Sequence, residues 1–135
     1  MQERECVLSE LTKVLHVEDE ADIREIAQMA LELIGGLDVC LVGSGAAALE
    51  ALDSFQPQLV LTDVQMPGMT GPETLAAIRA RPGYAEMPGI YMTAKIMESE
   101  REALLGPRDI GVIAKPFDPM TLASDIRALW QAAGL

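Results

Sequence analysis

Acidic residues, a hydroxyl group and a lysine follow the short apolar runs of this sequence, at the points where the runs end. They are Glu18, Asp19, Asp63, Thr93 and Lys115. Carboxylate oxygens are the ligands that Mg²⁺ prefers, and carboxylates packed together repel one another unless a divalent cation holds them. The hydroxyl and ammonium groups would then face the anion that such a cation binds. Each residue alone is more often an ordinary solvated side chain, so the hypothesis depends on the whole set.

The hydrophobic pattern predicts the elements that must position this set. Continuous apolar runs predict strands at residues 13–17, 37–42, 58–62, 89–92 and 111–114. Helical periodicity predicts helices at residues 21–34, 46–52, 72–79, 98–105 and 119–132. This alternation is typical of a doubly wound α/β fold, in which helices cover both faces of a parallel sheet and ligands bind beyond the carboxyl ends of the strands. The predicted fold therefore brings the polar set to one edge of the sheet.

Two details of the predicted core lie next to this edge. The stripe that the first helix buries should consist of Ile23, Ala27, Ala30 and Ile34. His16 is the single histidine and lies within the first apolar run, so it is predicted to be a core residue with its hydrogen bonds satisfied.

Length and charge restrict the classes of function. The 135 residues are 50% hydrophobic and 23% charged, which is typical of one folded domain with a sizeable core. The net charge of −11 argues against binding of nucleic acid or of an anionic membrane, and it favours divalent cations and basic partners. The sequence has no apolar run of membrane-spanning length and no signal peptide at its start. Two cysteines without metal-ligand spacing agree with a reduced, cytoplasmic protein.

Four segments together resemble the receiver domain of two-component response regulators, in the order that this family has them. They are VLHVEDE at residues 14–20, LVLTDVQMPGMTG at 59–71, YMTAK at 91–95 and AKPF at 114–117. The resemblance implies a flavodoxin-like, three-layer fold with five parallel strands in the order 2-1-3-4-5. It also implies a receiver domain at residues 13–132 that follows a leader at residues 1–12, with no output domain in this chain. Either a stand-alone, chemotaxis-regulator-like protein or a receiver from a longer protein fits this pattern.

The resemblance implies the phosphoryl chemistry of three residues. Asp63 matches the aspartate that takes a phosphoryl group from a sensor histidine kinase or a histidine phosphotransfer protein. Thr93 and Lys115 match the hydroxyl and ammonium groups that bind the phosphoryl oxygens, and the peptide bond between Lys115 and Pro116 should be cis. The domain would assist its own phosphorylation and dephosphorylation without being an enzyme in the ordinary sense.

The resemblance also implies a Mg²⁺ site. Asp19 and Asp63 match carboxylate ligands of the metal, and Glu18 matches the neighbour that acts largely through metal-bound water. The backbone carbonyl of Gln65 should be the remaining protein ligand. The family's output face, formed by the fourth helix, the fifth strand and the fifth helix, would then alter the binding of a downstream protein. This sequence departs from the family at Val112, where receivers usually carry a tyrosine or phenylalanine that takes part in the readout.

Three other interpretations compete with a phospho-accepting receiver. The sequence Gly43-Ser44-Gly45 with the alanines after it resembles a dinucleotide fingerprint, but it follows the second strand rather than the first and leaves the acidic set unused. An aspartyl-phosphate phosphatase would need a second acid where Gln65 stands. A degenerate receiver that acts only in docking is disfavoured because Asp63, Asp19 and Lys115 are all present.

Overall fold

A five-stranded parallel sheet forms the centre of the protein. The computed structural model describes residues 10–94 and 98–135. Its strands are β1 (Lys13–Val17), β2 (Asp38–Val42), β3 (Leu59–Asp63), β4 (Gly89–Thr93) and β5 (Asp109–Ala114). They lie in the order β2-β1-β3-β4-β5, and every neighbouring pair is parallel. The predicted fold class and strand order are confirmed.

Helices cover both faces of this sheet. They are α1 (Ala21–Gln28), α2 (Gly45–Phe55), α3 (Gly71–Arg79), α4 (Glu98–Leu104) and α5 (Leu122–Ala132), and a π-helical segment (Met29–Ile34) continues α1. One core lies between the sheet and the π-helical segment with α5, and the other lies between the sheet and α2 with α3. Successive strand residues point to opposite faces, so the strands contribute apolar side chains to both cores. In the described part of the chain, no helix is long and apolar enough to cross a bilayer.

The first helix buries Ala27 and Ala30 as predicted, but its buried stripe ends differently from the prediction. The backbone N–H of Gly35 donates to the carbonyl of Ala30 at 3.1 Å, which closes a wider turn than an α-helix has. Each turn of the segment Met29–Ile34 therefore holds more residues, and the positions after residue 29 rotate relative to the sheet. As a result Leu31 is buried, whereas Ile34 is 48% exposed and does not belong to the core.

Residues just before β1 already pack against the rest of the domain. Leu11 is buried in the core on the α5 side of the sheet. The side-chain oxygen of Gln58 accepts the backbone N–H groups of Thr12 and Lys13, at 2.7 and 2.9 Å. These bonds tie the residues in front of β1 to the start of β3. The boundary between leader and domain at residue 12 stays a proposal, and residues 1–9 of the expected leader lie outside the described residues.

Asp109 joins three elements at the end of the sheet opposite the predicted site. Its carboxylate accepts a bond from the Arg79 guanidinium of α3 and another from the backbone N–H of Gly106, both at 2.8 Å. The same guanidinium donates to the carbonyl of Met87 at 3.0 Å. Burial, followed by the negative charge of Asp109, raises the pKa of Tyr91 to about 12. This carboxylate is fully compensated by its neighbours and serves the fold.

Replacing Asp109 by alanine is expected to lower the free energy of unfolding by about 2–4 kcal/mol, because it leaves the Arg79 charge and the Gly106 N–H without their acceptor. The side chains of Asp109 and Arg79 are only 4% and 20% exposed. Glu86→Ala is the control, since it breaks an ion pair with Arg108 whose side chains are 72% and 48% exposed. That loss should stay below about 1 kcal/mol. Urea unfolding measures both, and equal losses would contradict the assignment.

Candidate functional site

The predicted polar residues lie at the carboxyl edge of the sheet. Glu18 directly follows β1, Asp63 is the last residue of β3, Thr93 is the last residue of β4, and Lys115 directly follows β5. The chain leaves β1 toward β2 on one side, and β3 begins the other half of the sheet. A parallel sheet opens a crevice at such a switch point, where loops from opposite sides diverge. The strand order therefore creates the crevice that the site uses.

Three carboxylates and one ammonium group meet in this crevice. Ligand oxygens of Glu18, Asp19 and Asp63 lie within 4.8 Å of one another. The Lys115 Nζ donates to Asp63 Oδ2 at 3.0 Å and to Glu18 Oε1 at 3.2 Å. The Glu18 side chain is fully buried, and the Asp63 and Lys115 side chains are mostly buried. Among the described residues, Lys115 thus pairs with two of the three acids, and Asp19 forms no ion pair, so negative charge exceeds the positive charge paired with it.

The pKa directions show how the cluster is balanced. Burial raises the pKa of Glu18, and the charge of Asp63 adds to this, against the opposing effects of the Glu20 backbone N–H and of Lys115. Burial alone would lower the pKa of Lys115, but its hydrogen bond to Asp63 and the charges of Asp63 and Glu18 outweigh burial and raise it. The lysine therefore stays protonated, and Glu18 and Asp63 share its ammonium group. A set of hard carboxylate oxygens short of positive charge fits Mg²⁺.

Glycines allow the loop after Asp63 to fold tightly. At Gly71 a Cβ atom would overlap the backbone carbonyl of Asp63, so only glycine lets α3 begin this close to β3. The Gly71 N–H donates to the carbonyl of Val64 at 2.8 Å. Gly68 has a φ of +80°, which favours glycine. The Thr70 side chain then caps α3 by accepting the backbone N–H of Glu73.

Thr93 and Gln65 lie on the wall of a second cavity at the same edge. This cavity of about 290 Å³ is also lined by Arg101 and Leu104 of α4 and by Val112 of β5. Its lining residues include no aromatic side chain. Val112, where the resemblance leads one to expect a ring, is thus one of the residues that line this cavity.

The chain turns sharply after β5. The peptide bond between Lys115 and Pro116 is cis, as expected from the resemblance. The backbone N–H of Lys115 donates to the carbonyl of Thr93 at 2.9 Å, which ties the end of β5 to the end of β4. Lys95, in one of the segments that carry the resemblance, lies outside the described residues.

His16 contradicts the prediction of a satisfied core histidine. It is fully buried in β1, and neither ring nitrogen has a hydrogen-bond partner among the described residues. Burial, followed by the charges of Lys115 and Arg24, lowers its pKa to about 4. The ring is therefore neutral at physiological pH. The position of His16 inside an apolar strand predicts its burial. It does not predict a hydrogen-bond partner for the ring, because that partner would have to come from another element.

The prediction of site residues did not include Arg24. Its Nη1 donates to the backbone carbonyl of Glu18 at 2.6 Å. Arg24 precedes the buried residues Ala27 and Leu31 by three and seven positions, so it lies on the buried side of its helix. An arginine on an otherwise apolar stripe is the signal that could have identified it.

The glycines that resemble a dinucleotide fingerprint have structural roles here. The Ser44 hydroxyl accepts the backbone N–H of Ala47 and caps α2. At Gly45 a Cβ atom would overlap Thr74 Oγ1, so glycine permits α2 to pack closely on α3. This turn also follows β2, at the edge of the sheet, rather than β1.

Fold and site together define a doubly wound α/β protein with an acidic, cation-attracting pocket at its switch point. The family model of the response regulator receiver domain matches residues 14–127. The chain belongs to the response regulator receiver domain family. Members of this family are phosphoacceptor signalling domains of two-component systems rather than classical enzymes, and Mg²⁺ binding is a general feature of them.

Relatives agree with this assignment. The chain is 33% identical over 109 residues to an uncharacterized 14.6 kDa protein of Leptolyngbya boryana, covering 81% of this chain and 82% of that protein. It is 30% identical over 122 residues to response regulator Rre1 of Synechocystis sp., covering 90% of this chain but only 53% of Rre1. Chemotaxis protein CheY4 of Vibrio cholerae has a similar structure, with a TM-score of 0.77 and 28% identity over 88% of this chain and 98% of CheY4.

Replacing His16 by leucine is expected to raise the free energy of unfolding by about 1–3 kcal/mol at pH 7, because two buried nitrogens without partners disappear. The gain should grow as the pH falls from 6.5 to about 4, since the unfolded wild type takes up a proton there and the folded wild type does not. Urea unfolding at several pH values measures this. His16→Gln is the control that removes only the pH-dependent part. A leucine variant less stable than wild type at every pH would contradict the interpretation.

Proposed function

We propose that Asp63 accepts a phosphoryl group from the phosphohistidine of a histidine kinase or a histidine phosphotransfer protein. The observation that carries this proposal is the Asp63 carboxylate itself, mostly buried at a strand end and hydrogen-bonded to Lys115 at 3.0 Å. A carboxylate oxygen of Asp63 would form the new bond to phosphorus. The bond between phosphorus and the donor imidazole would break, and its electron pair would leave with the imidazole. Receiver-family membership makes this the expected chemistry.

The residues around Asp63 would lower the repulsion between the carboxylate and the phosphoryl group. Lys115 is protonated and already donates a hydrogen bond to Asp63. It can therefore donate to a phosphoryl oxygen once the phosphoryl group is attached to Asp63. The Thr93 hydroxyl would bond another of these oxygens. The nucleophile is a carboxylate oxygen that has no proton to lose, so no general base is needed. The acyl phosphate that forms is open to hydrolysis, and the same groups would assist that step.

The Mg²⁺ ion would be held by the acidic cluster. Asp19, Asp63 and the backbone carbonyl of Gln65 would be direct ligands, and the buried Glu18 would act through metal-bound water. When bound, the ion would supply positive charge at the phosphoryl oxygens. The support for this is the set of carboxylate oxygens within 4.8 Å of one another, two of which belong to acids paired with Lys115.

The phosphodonor would dock beside the crevice, on α1 and the loop after β5. An apolar groove of about 370 Å³ there is lined by Ile23 and Ile26 of α1 and by Phe117 and Pro119, and it reaches Lys115. A protein that brings its phosphohistidine to Asp63 must cover the surface next to Lys115. The Ile26 side chain is 41% exposed, and exposure of apolar surface to water is unfavourable. A docked apolar helix would cover this surface.

The output would pass through α4, β5 and α5 to a downstream protein in the cytoplasm. A phosphoryl group on Asp63 would draw the Thr93 hydroxyl toward it, and Thr93 shares the cavity of about 290 Å³ with Leu104 and Val112. With valine in place of a ring, α4 itself would have to close this space. The net charge of −11 favours a protein target over nucleic acid.

Incubation with phosphoramidate and Mg²⁺ is expected to add one phosphoryl group to the wild-type chain, measured by intact mass. Asp63→Asn should abolish the addition, because it removes the nucleophile, and EDTA should suppress it. Asp22→Asn removes an exposed carboxylate of α1 and is the matched control that should be labelled normally. Labelling of the Asp63→Asn variant to the wild-type level would refute the proposal.

Replacing Ile26 by serine is expected to slow phosphotransfer from a protein donor by about tenfold, which corresponds to a loss of about 1.4 kcal/mol of docking energy. A panel of purified, autophosphorylated histidine kinases first identifies the fastest donor, and its transfer rate is then compared between variants. Uptake from phosphoramidate is the control and should not change, because a small donor needs no docking surface. Equal slowing with both donors would rule out a docking role for Ile26.

A further inference from the structure

Arg24 closes the loop that carries two of the three acids. It lies in α1, and its Nη1 donates to the backbone carbonyl of Glu18 at 2.6 Å. The Glu18 side chain accepts the backbone N–H of Glu20 at 3.2 Å. The loop is therefore held from the helix and from within, on both sides of Asp19. These two bonds restrain the backbone on either side of Asp19.

The guanidinium also rests against a second loop. A Cβ atom at Gly43 would lie 3.0 Å from the Arg24 Nη1, so glycine at this turn leaves the room that the arginine occupies. One residue earlier, the carbonyl of Val42 accepts the backbone N–H of Glu18 at 3.0 Å. Arg24 therefore sits between the loop after β1 and the turn after β2.

The charge of Arg24 is not consumed by a carboxylate. Among the residues that the structure describes, Arg24 forms no ion pair, whereas Lys115 is paired with both Asp63 and Glu18. An arginine side chain stays cationic at any physiological pH. Arg24 can therefore reduce the repulsion within the acidic cluster and still leave the oxygens of Asp19 free for a ligand.

We propose that Arg24 is a positioning residue for the Mg²⁺ site. It holds the carbonyl of Glu18, and through the loop it sets the place of the Asp19 carboxylate opposite Asp63. This inference rests on the proposed function, in which these acids hold the ion. Removing a residue that orients a metal ligand without touching the metal typically weakens metal affinity by about 10–100-fold.

Calorimetric titration with MgCl₂ tests the proposal on the intact chain. Arg24→Gln is expected to weaken Mg²⁺ binding by about tenfold. Arg24→Lys should recover part of the affinity, because it keeps the charge and can still donate to the carbonyl. Arg81→Gln removes an exposed arginine elsewhere and is the control for net charge. Asp19→Ala gives the reference for loss of a ligand.

The phosphoramidate reaction gives a second readout. For Arg24→Gln, the Mg²⁺ concentration at half-maximal rate should rise by the same factor as the dissociation constant, while the maximal rate at saturating Mg²⁺ stays at the wild-type value. Unchanged affinity in Arg24→Gln, or an equal loss in Arg81→Gln, would overturn the positioning role. A low rate that saturating Mg²⁺ does not restore would also overturn it, since Arg24 would then serve the fold or the chemistry. If the wild type neither binds Mg²⁺ nor takes up a phosphoryl group, the proposed function itself fails.

Discussion

Repulsion between carboxylates is the constraint on which the rest of the structure depends. Glu18, Asp19 and Asp63 present oxygens within 4.8 Å of one another in a largely buried crevice. Such an arrangement is unfavourable unless a rigid frame holds it and positive charge surrounds it. The parallel sheet is the frame, because it fixes the ends of β1 and β3 side by side. In the described part of the chain, Lys115 and Arg24 supply positive charge next to this crevice.

The two ends of the sheet treat buried charge in opposite ways. At the amino end, the carboxylate of Asp109 has the Arg79 guanidinium and the Gly106 N–H as partners, so its charge is balanced and has no need of a ligand. At the carboxyl end, one lysine faces several acids. The first arrangement stabilises the fold, and the second leaves a site that attracts a cation. A phosphoacceptor needs this imbalance, because its substrate is an anion that a carboxylate alone would repel.

Membership of the receiver family explains why the acidic set recurs in this order, and the departure at Val112 shows where this chain differs. Val112 lines a cavity of about 290 Å³ together with Thr93 and with Leu104 of α4. In the proposed function, the departure at Val112 therefore affects the readout of the signal and not the chemistry at Asp63.

The sequence by itself determined the strands and the residues at their ends, since apolar runs are buried and the polar residue after each run must lie at the carboxyl edge. For β3 the prediction of residues 58–62 was one residue from Leu59–Asp63. Only the tertiary structure decided the exposure of Ile34, the lack of partners for His16 and the bond from Arg24 to Glu18. Each of these depends on how close another element packs, and periodicity along one element carries no information about that distance.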